Sequence, residues 1–309
     1  MRVFITGGTG LIGVRLVRAI RKRGDEVVVL SRQADAWRHV GLDVEIVAGD
    51  PTSTGPWQER AAGCDAVVNL AGAGIFDRRW NAGYKNLIRD SRLRATENVV
   101  AALSEQSNAK VLVSGSAIGF YGPHGDQELD ESSPAGDDFM AKICVDWEAA
   151  AKAAESAGVR VALLRTGIVL DRRGGALKQL LTPFQWGLGG PVASGRQYMS
   201  WIHHADEVGI ILLALDHSEA YGPINGTAYG PVTNKEFAKA LGRALGRPAF
   251  LPTPAFGMRL ILGEVAEVVT TGQRVLPRRA EALGYQFHYP DIDAALRQIA
   301  HAERAAAGG

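Results

Sequence analysis

Cysteine is nearly absent from this chain: Cys64 and Cys144 are the only two in 309 residues. They lie far apart and form no Cys-x-x-Cys pair, which excludes a disulfide framework or a zinc module and points to a reducing cytoplasm. An excess of charge of either sign is missing too, with 34 Lys and Arg against 33 Asp and Glu and a formal charge of +1. Without a basic stripe, neither nucleic acid nor an anionic membrane surface is an expected partner. No apolar run approaches the roughly 18 residues that span a bilayer. The nearest, around Leu260 to Thr271, is interrupted by Glu264 and Glu267. The opening MRVFITGG lacks a basic segment followed by an apolar stretch and a small-residue cleavage site, so no signal peptide is read there. Internal repeats and low-complexity linkers are missing as well. A homo-oligomer is compatible with the sequence, but nothing in it calls for one.

What is present is an ordinary globular composition, 46% hydrophobic and 22% charged, which supplies a core and rules out disorder as the main state. At about 150 residues per domain the length allows two domains or one large α/β unit. Short β-branched runs alternate with helical patterns, as in βαβ units. The strand candidates are Val3–Thr6, Glu26–Leu30, Val44–Ala48, Ala66–Leu70, Lys110–Ser114 and Val159–Leu164. They are continuously apolar, as expected when helices cover both faces of a parallel sheet. Helical stretches run from about Leu11 to Arg23, Tyr84 to Glu105 and Phe139 to Ser156. The expectation is a doubly wound parallel Rossmann sheet.

After Leu170 glycines punctuate the chain and strand signals are few. A helix from about Asp206 to Leu215 and a short strand near Asn225–Ala228 follow. Helical stretches at about Asn234–Leu245 and Pro254–Val269 precede a terminal helix from about Asp291, and the tail HAERAAAGG is expected to fray. These segments suggest a small, discontinuous C-terminal α/β cap. The expected division is 1–170 plus about 204–230 for the dinucleotide domain, and about 171–203 plus 231–309 for the substrate domain.

Thr6-Gly7-Gly8-Thr9-Gly10-Leu11-Ile12-Gly13 follows the first strand and opens the first helix. Glycines at 7, 10 and 13 permit a tight turn, close approach of backbone to a pyrophosphate, and close helix–strand packing. Thr9, Leu11 and Ile12 present their backbone at the helix N-terminus, where free N–H groups attract an anion. The second strand ends in Ser31-Arg32-Gln33, and Arg32 lies 19 residues beyond Gly13, where an NAD enzyme places an acidic residue on the ribose hydroxyls. An acid would repel a 2′-phosphate, whereas a guanidinium binds it through a charge-assisted fork. With Ser31 as a further donor, NADP(H) is the expected cofactor; a solvated surface arginine is the alternative. Asp50, after the third strand, is positioned to accept from the adenine amino group or simply to open a turn before Pro51. Leu70 and Ala71, after the fourth, would face the central riboses.

TGGTGLIG, NLAGA and SGSAIGFYG resemble the extended short-chain dehydrogenase/reductase superfamily, which includes sugar-nucleotide epimerases. The likeness is closest to an atypical branch, the epimerase family proteins. Matching stretches run nearly end to end: Arg79-Trp80, Ser91-Arg92, Asp137-Asp138-Phe139 through Trp147-Glu148, Arg165 through Leu170, Gly195-Arg196-Gln197, Ser200-Trp201-Ile202-His203, Pro231 through Asn234, and Gly272-Gln273-Arg274-Val275. The resemblance implies an NADP-binding Rossmann domain and a small substrate domain. It also implies that Leu70, Ala71, Arg92 and the backbone near Val169 touch the dinucleotide.

In that superfamily a Ser or Thr after the fifth strand polarises a carbonyl, and a Tyr four residues before a Lys transfers the proton. Ser116 matches the first role, with a turn serine as the plain alternative. The Tyr/Lys pair is missing: anchoring on Trp147-Glu148 puts Met140 and Cys144 in those places. Tyr121 is the candidate replacement donor, against a packed aromatic at the sheet edge. Cys144 reads as a buried small hydrophobe or as a nucleophile. His203-His204 has no metal-ligand spacing and reads as structural, with His203 near the pocket and Asp206 capping the next helix. No metal is expected. Arg79, Trp80, Arg196, Gln197 and Trp201 combine cationic, amide and aromatic groups on loops, suited to an anionic or ring-bearing small molecule. Two functions remain open: an NADP(H)-dependent oxidoreductase or epimerase-like enzyme, and a non-catalytic NADPH-binding sensor.

Overall fold

The computed structural model describes residues 1–37, 44–104 and 106–306. Seven parallel strands form one sheet: β1 Arg2–Thr6, β2 Glu26–Ser31, β3 Glu45–Ala48, β4 Ala66–Asn69, β5 Val111–Ala117, β6 Arg160–Thr166 and β7 Gly222–Gly226. Their spatial order is β7-β6-β5-β4-β1-β2-β3. The chain thus starts in the middle, winds outward to β3 and then returns to build the other half, so the order reverses between β1 and β4. A doubly wound sheet receives ligands at such a reversal, outside the carboxyl ends of its strands.

Both faces are covered, which is why the strands read as unbroken apolar runs. Val3, Ile5, Val27, Val29 and Val113 pack on one side with Leu16, Val17 and Ile20 of helix α1 (Leu11–Lys22). Phe4, Val28, Leu30, Val67 and Leu112 pack on the other with Val99 of helix α2 (Ala82–Ala102) and Ala151 of helix α3 (Phe139–Lys152). The expected helix end at Glu105 lies outside the described residues.

β5 and β6 run farther than the apolar pattern suggests, to Ala117 and Thr166, because small Gly115 and Ser116 pair in register with Leu164 and Arg165. β7 joins the sheet beside β6. The segment after Leu170, where glycines punctuate the chain and strand signals are few, contains helix α4 (Gly175–Gln185), which buries Leu177, Leu181 and Phe184 at helical spacing. Asp206 does not cap the following helix. Helix α5 (His204–Asp216) starts earlier, and His203 Nδ1 accepts from the Ala205 N–H as its cap. Asp206 instead accepts from the Tyr285 hydroxyl and the His288 and Tyr289 N–H groups, tying down the later chain.

Helix α6 (Asn234–Leu245) begins at a Thr233/Glu236 capping box and stops at Gly246. The stretch expected as one helix over Pro254–Val269 breaks at Gly263, φ +70°, into Ala255–Leu262 (α7), a 3₁₀ turn and Ala266–Thr270. The terminal helix α8 (Ile292–Ala306) runs into the tail expected to fray, and residues 307–309 lie outside the described part. Leu177, Trp201, Phe237, Leu241 and Leu296 form an apolar cluster of their own over the carboxyl edge of the sheet. Among the described residues no helix is long and apolar enough to cross a membrane.

Candidate functional site

The glycine turn is built with no room to spare. A Cβ on Gly7, which holds φ +68°, would meet the Leu70 carbonyl at 2.6 Å and the Ala71 nitrogen at 3.0 Å. One on Gly13 would stand 2.1 Å from the Gly7 oxygen. These contacts bring Gly7, Gly13, Leu70 and Ala71 into a single corner, held further by the Ala71 N–H donating to Thr6 Oγ1. Gly10 is the N-cap of α1 and lends it no side-chain bond, and no acidic residue occupies the first turn. The helix therefore presents uncapped N–H groups beside Thr9, Leu11 and Ile12, with the positive end of its dipole. Val169 reaches the same corner, since Gly174 and Gly175 lie against Leu11 and Gly175 faces the Val169 carbonyl.

Arg92 lies against Gly72, and its guanidinium stacks over the Trp147 ring at 5.3 Å. Burial pushes its pKa down, and it makes no ion pair among the described residues. At the end of β2, Arg32 is exposed and likewise without an ion pair among the described residues. Ser31 Oγ accepts from the Gln33 N–H, which leaves its own proton to donate. Asp50 opens an Asx turn: its Oδ1 accepts from the Thr52 N–H and hydroxyl. Burial works against its charge, but those bonds and nearby Arg32 hold the carboxyl below its usual range. A pyrophosphate at the α1 terminus and a 2′-phosphate at Arg32 fit this donor set, with no acid at the end of β2 to oppose the phosphate.

Ser116 belongs to a buried polar network. Its hydroxyl donates to Glu148 Oε1 at 2.7 Å, and Arg165 clasps Glu148 through Nε to Oε1 at 2.8 Å and Nη2 to Oε2 at 2.9 Å. Arg165 Nη1 also donates to the Tyr121 hydroxyl at 3.0 Å, which in turn donates to Asn225 Oδ1 at 2.7 Å. Burial works against the Arg165 charge, but the bonds to Glu148 outweigh it and its pKa is raised. With its proton committed to a carboxylate, Ser116 offers a ligand its oxygen lone pairs rather than a donor.

Tyr121 lies inside the protein. It is fully buried, burial pushes its phenol up to about 12, and both partners of its hydroxyl lie in the network. The 3₁₀ turn Ile118–Tyr121 packs it with Ile118, Leu129 and Val275. Cys144 is buried too, its thiol pushed up to about 12, chiefly by burial. Met140 stands 3.3 Å from where a Gly119 Cβ would lie. Neither supplies a proton at neutral pH.

Among the described residues no hydrogen bond, ion pair or ring contact joins the five substrate candidates to one another. Trp201 is 1% exposed in the core of the cap, donating its indole N–H to the Gly230 carbonyl. Gln197 is buried: Nε2 donates to the Val192 and Val269 carbonyls, while Oε1 has no partner among the described residues. Arg196 is exposed, and among the described residues only its backbone is engaged, its N–H donating to Ser194 Oγ. Trp80 donates to the Ile75 carbonyl and stands edge-on to Phe139 at 5.4 Å, and exposed Arg79 lies against Gly263. His203 is structural, donating through Nε2 to Gln298 Oε1 at 3.0 Å when Nδ1 serves as the cap acceptor. Among the described residues no cluster could hold a metal ion.

Two groups were not singled out from the sequence. Glu148 and Arg165 had a signal, since charges inside apolar runs need partners, but their pairing is visible only in the fold. Glu207, in the first turn of α5, is fully buried between the ends of β6 and β7. Thr166 donates to its Oε1 at 2.6 Å, Oε2 has no partner among the described residues, and burial raises its pKa to about 8.

The model of the NAD dependent epimerase/dehydratase family matches residues 3–225, and a domain of unknown function (DUF1731) matches 253–299. The chain is similar to Epimerase family protein SDR39U1 of Mus musculus, 41% identical over 306 residues that cover 97% of this chain and 99% of the relative. It is equally similar to the chloroplastic homolog from Arabidopsis thaliana, 41% identical over 97% of this chain and 86% of that one. Among solved structures, human SDR39U1 (isoform 2) with NADPH superposes with a TM-score of 0.87 at 39% identity, covering 97% and 99% of the two chains.

Proposed function

Because the chain belongs to the NAD-dependent epimerase/dehydratase family, we propose that it binds NADP(H) across the α1 terminus and acts as an NADP(H)-dependent oxidoreductase or epimerase-like enzyme on a small molecule. The observation that carries the cofactor choice is Arg32: an exposed guanidinium at the end of β2 that makes no ion pair among the described residues. Bound there, NADP(H) supplies reversible hydride transfer. The chain's own part is to bind and orient. Gly7 and Gly13 let the backbone approach the pyrophosphate, the uncapped N–H groups neutralise it, and Arg32 with Ser31 grips the 2′-phosphate. Leu70, Ala71, Arg92 and Val169 line the rest of the dinucleotide, and Asp50 Oδ2 remains to accept from the adenine. The human relative's structure with NADPH supports this reading.

Ser116 holds the reacting hydroxyl by accepting its proton in a hydrogen bond, while its own proton rests on Glu148. In this reading residues 1–170 with about 204–230 bind the dinucleotide, and about 171–203 with 231–309 bind the substrate. The separate apolar clusters of sheet and cap support that division. Both cysteines are unpaired and buried, which suits a reducing compartment, and we place the protein in the cytoplasm.

A second reading is favoured by one observation. Met140 and buried Cys144 stand where the resemblance puts the proton-transferring pair, so the chain would bind NADPH and signal its presence to another protein. Loss of NADPH absorbance across a panel of carbonyl substrates separates the two. Turnover is expected; tight NADPH binding with no turnover anywhere would leave the sensor reading.

Two substitutions test the assignments. Arg32→Ala removes charged hydrogen bonds of about 1.5–3 kcal/mol, so NADPH should bind about 10- to 100-fold more weakly while NADH binding barely changes. Equal losses for both would put the 2′-phosphate elsewhere. Ser116→Ala should leave NADPH affinity intact and abolish turnover, and a variant that keeps its turnover would remove Ser116 from the chemistry.

A further inference from the structure

Where the 3₁₀ turn after α7 meets α2, Lys85 carries an internal carboxylate: Glu264 of that turn forms an ion pair with its ammonium. The ammonium also lies over two aromatic faces, 5.1 Å from the Phe139 ring centroid and 5.8 Å from that of Trp80. Arg79 adds a second cation against Gly263 and makes no ion pair among the described residues. The place lies at the N-terminal end of α3, the helix whose Met140 meets Gly119 in the turn leaving β5 and whose Glu148 takes the Ser116 proton.

Lys85 and Arg79 are two cations, and the one carboxylate that pairs with either among the described residues is Glu264, the protein's own. The pair is half-exposed, with side chains 29% and 55% accessible, so it adds little to stability and exchanges readily for a better partner. We propose that Lys85 and Arg79 form the anion-binding end of the substrate site, with Glu264 holding the place of a substrate carboxylate or phosphate until one arrives. The substrate class is a small anion with a flat apolar body that covers Trp80 and Phe139. A ligand that fills the place displaces Glu264 and frees the turn at Gly263.

The proposal rests on the nicotinamide-enzyme reading for its substrate but is tested without turnover. Benzoate, phenyl phosphate and uncharged benzamide are titrated into the NADPH-loaded protein and into the protein without nucleotide, with NADPH affinity measured separately. Benzoate or phenyl phosphate should bind better than benzamide. Glu264→Gln, which leaves Lys85 in place, should tighten the anion at least threefold, and Lys85→Met should weaken it at least tenfold, with benzamide unmoved by either. Hydrogen exchange at 255–270 should rise when the anion binds. Anion affinities that are equal in all three proteins, or no preference over benzamide, or no anion binding at all, would overturn the proposal. NADPH binding that fails in the unsubstituted protein would instead strike the cofactor reading.

Discussion

Glu148→Gln is expected to lower the free energy of unfolding by about 3–5 kcal/mol, read as a fall in the urea midpoint with an unchanged slope. Glu148 is 3% exposed and Arg165 4%. The carboxylate takes both prongs of the guanidinium and the Ser116 proton. The amide keeps the shape but removes the charge, leaving Arg165 buried on the ring of Phe120, 3.5 Å from its centroid, with only neutral acceptors. A buried cation without its partner is among the costliest single changes a fold can suffer. The pair's net contribution is a separate quantity, because much of its attraction offsets desolvation. Replacing both residues with well-packed apolar ones should therefore cost far less than replacing either. A loss below about 1 kcal/mol for Glu148→Gln would mean that water reaches Arg165.

Glu207 should make stability fall as pH rises. Its pKa is raised to about 8 from 4.5, by burial, against the opposing bond from Thr166. Below pH 4.5 folded and unfolded chains both hold the proton, and this group adds no pH dependence. Between about 4.5 and 8 the unfolded chain has released the proton and the folded one retains it, so stability declines by about 1.4 kcal/mol per pH unit from this group. Above 8 the decline stops. Glu207→Gln removes the titration while keeping an oxygen for Thr166, so its melting temperature should gain on the wild type steadily from pH 5 to 8. Parallel pH profiles for the two proteins would show that Glu207 is ionised and solvated in the fold.

The sheet was legible because its signal is local. Continuous β-branched runs separated by helical patterns, with a glycine turn after the first, specify a doubly wound fold without any long-range information. β7 was harder to place, since Gly-Pro-Ile-Asn-Gly carries a buried asparagine that is tolerated only because Tyr121 and the Leu276 carbonyl satisfy its side chain. Helix α4 escaped notice because glycines crowd both its ends and only Leu177, Leu181 and Phe184 mark its buried face.

At the candidate site, the glycine corner is legible from spacing, whereas the polar network around Ser116 is not. Tyr121 sits close to Ser116 in sequence, but one turn of 3₁₀ helix puts its hydroxyl among buried partners. Trp201 looked like a loop aromatic and is the centre of the cap's core. The charged groups that surround Ser116 come from a helix and a strand far along the chain, and no local pattern announces which carboxylate meets which guanidinium.

Calorimetric titration of the purified chain with NADPH and with NADH tests the central assignment most directly. NADPH should bind at least tenfold more tightly than NADH, with the gap closing as salt screens the guanidinium. Indifference to both nucleotides, or equal affinity for the two, would contradict it.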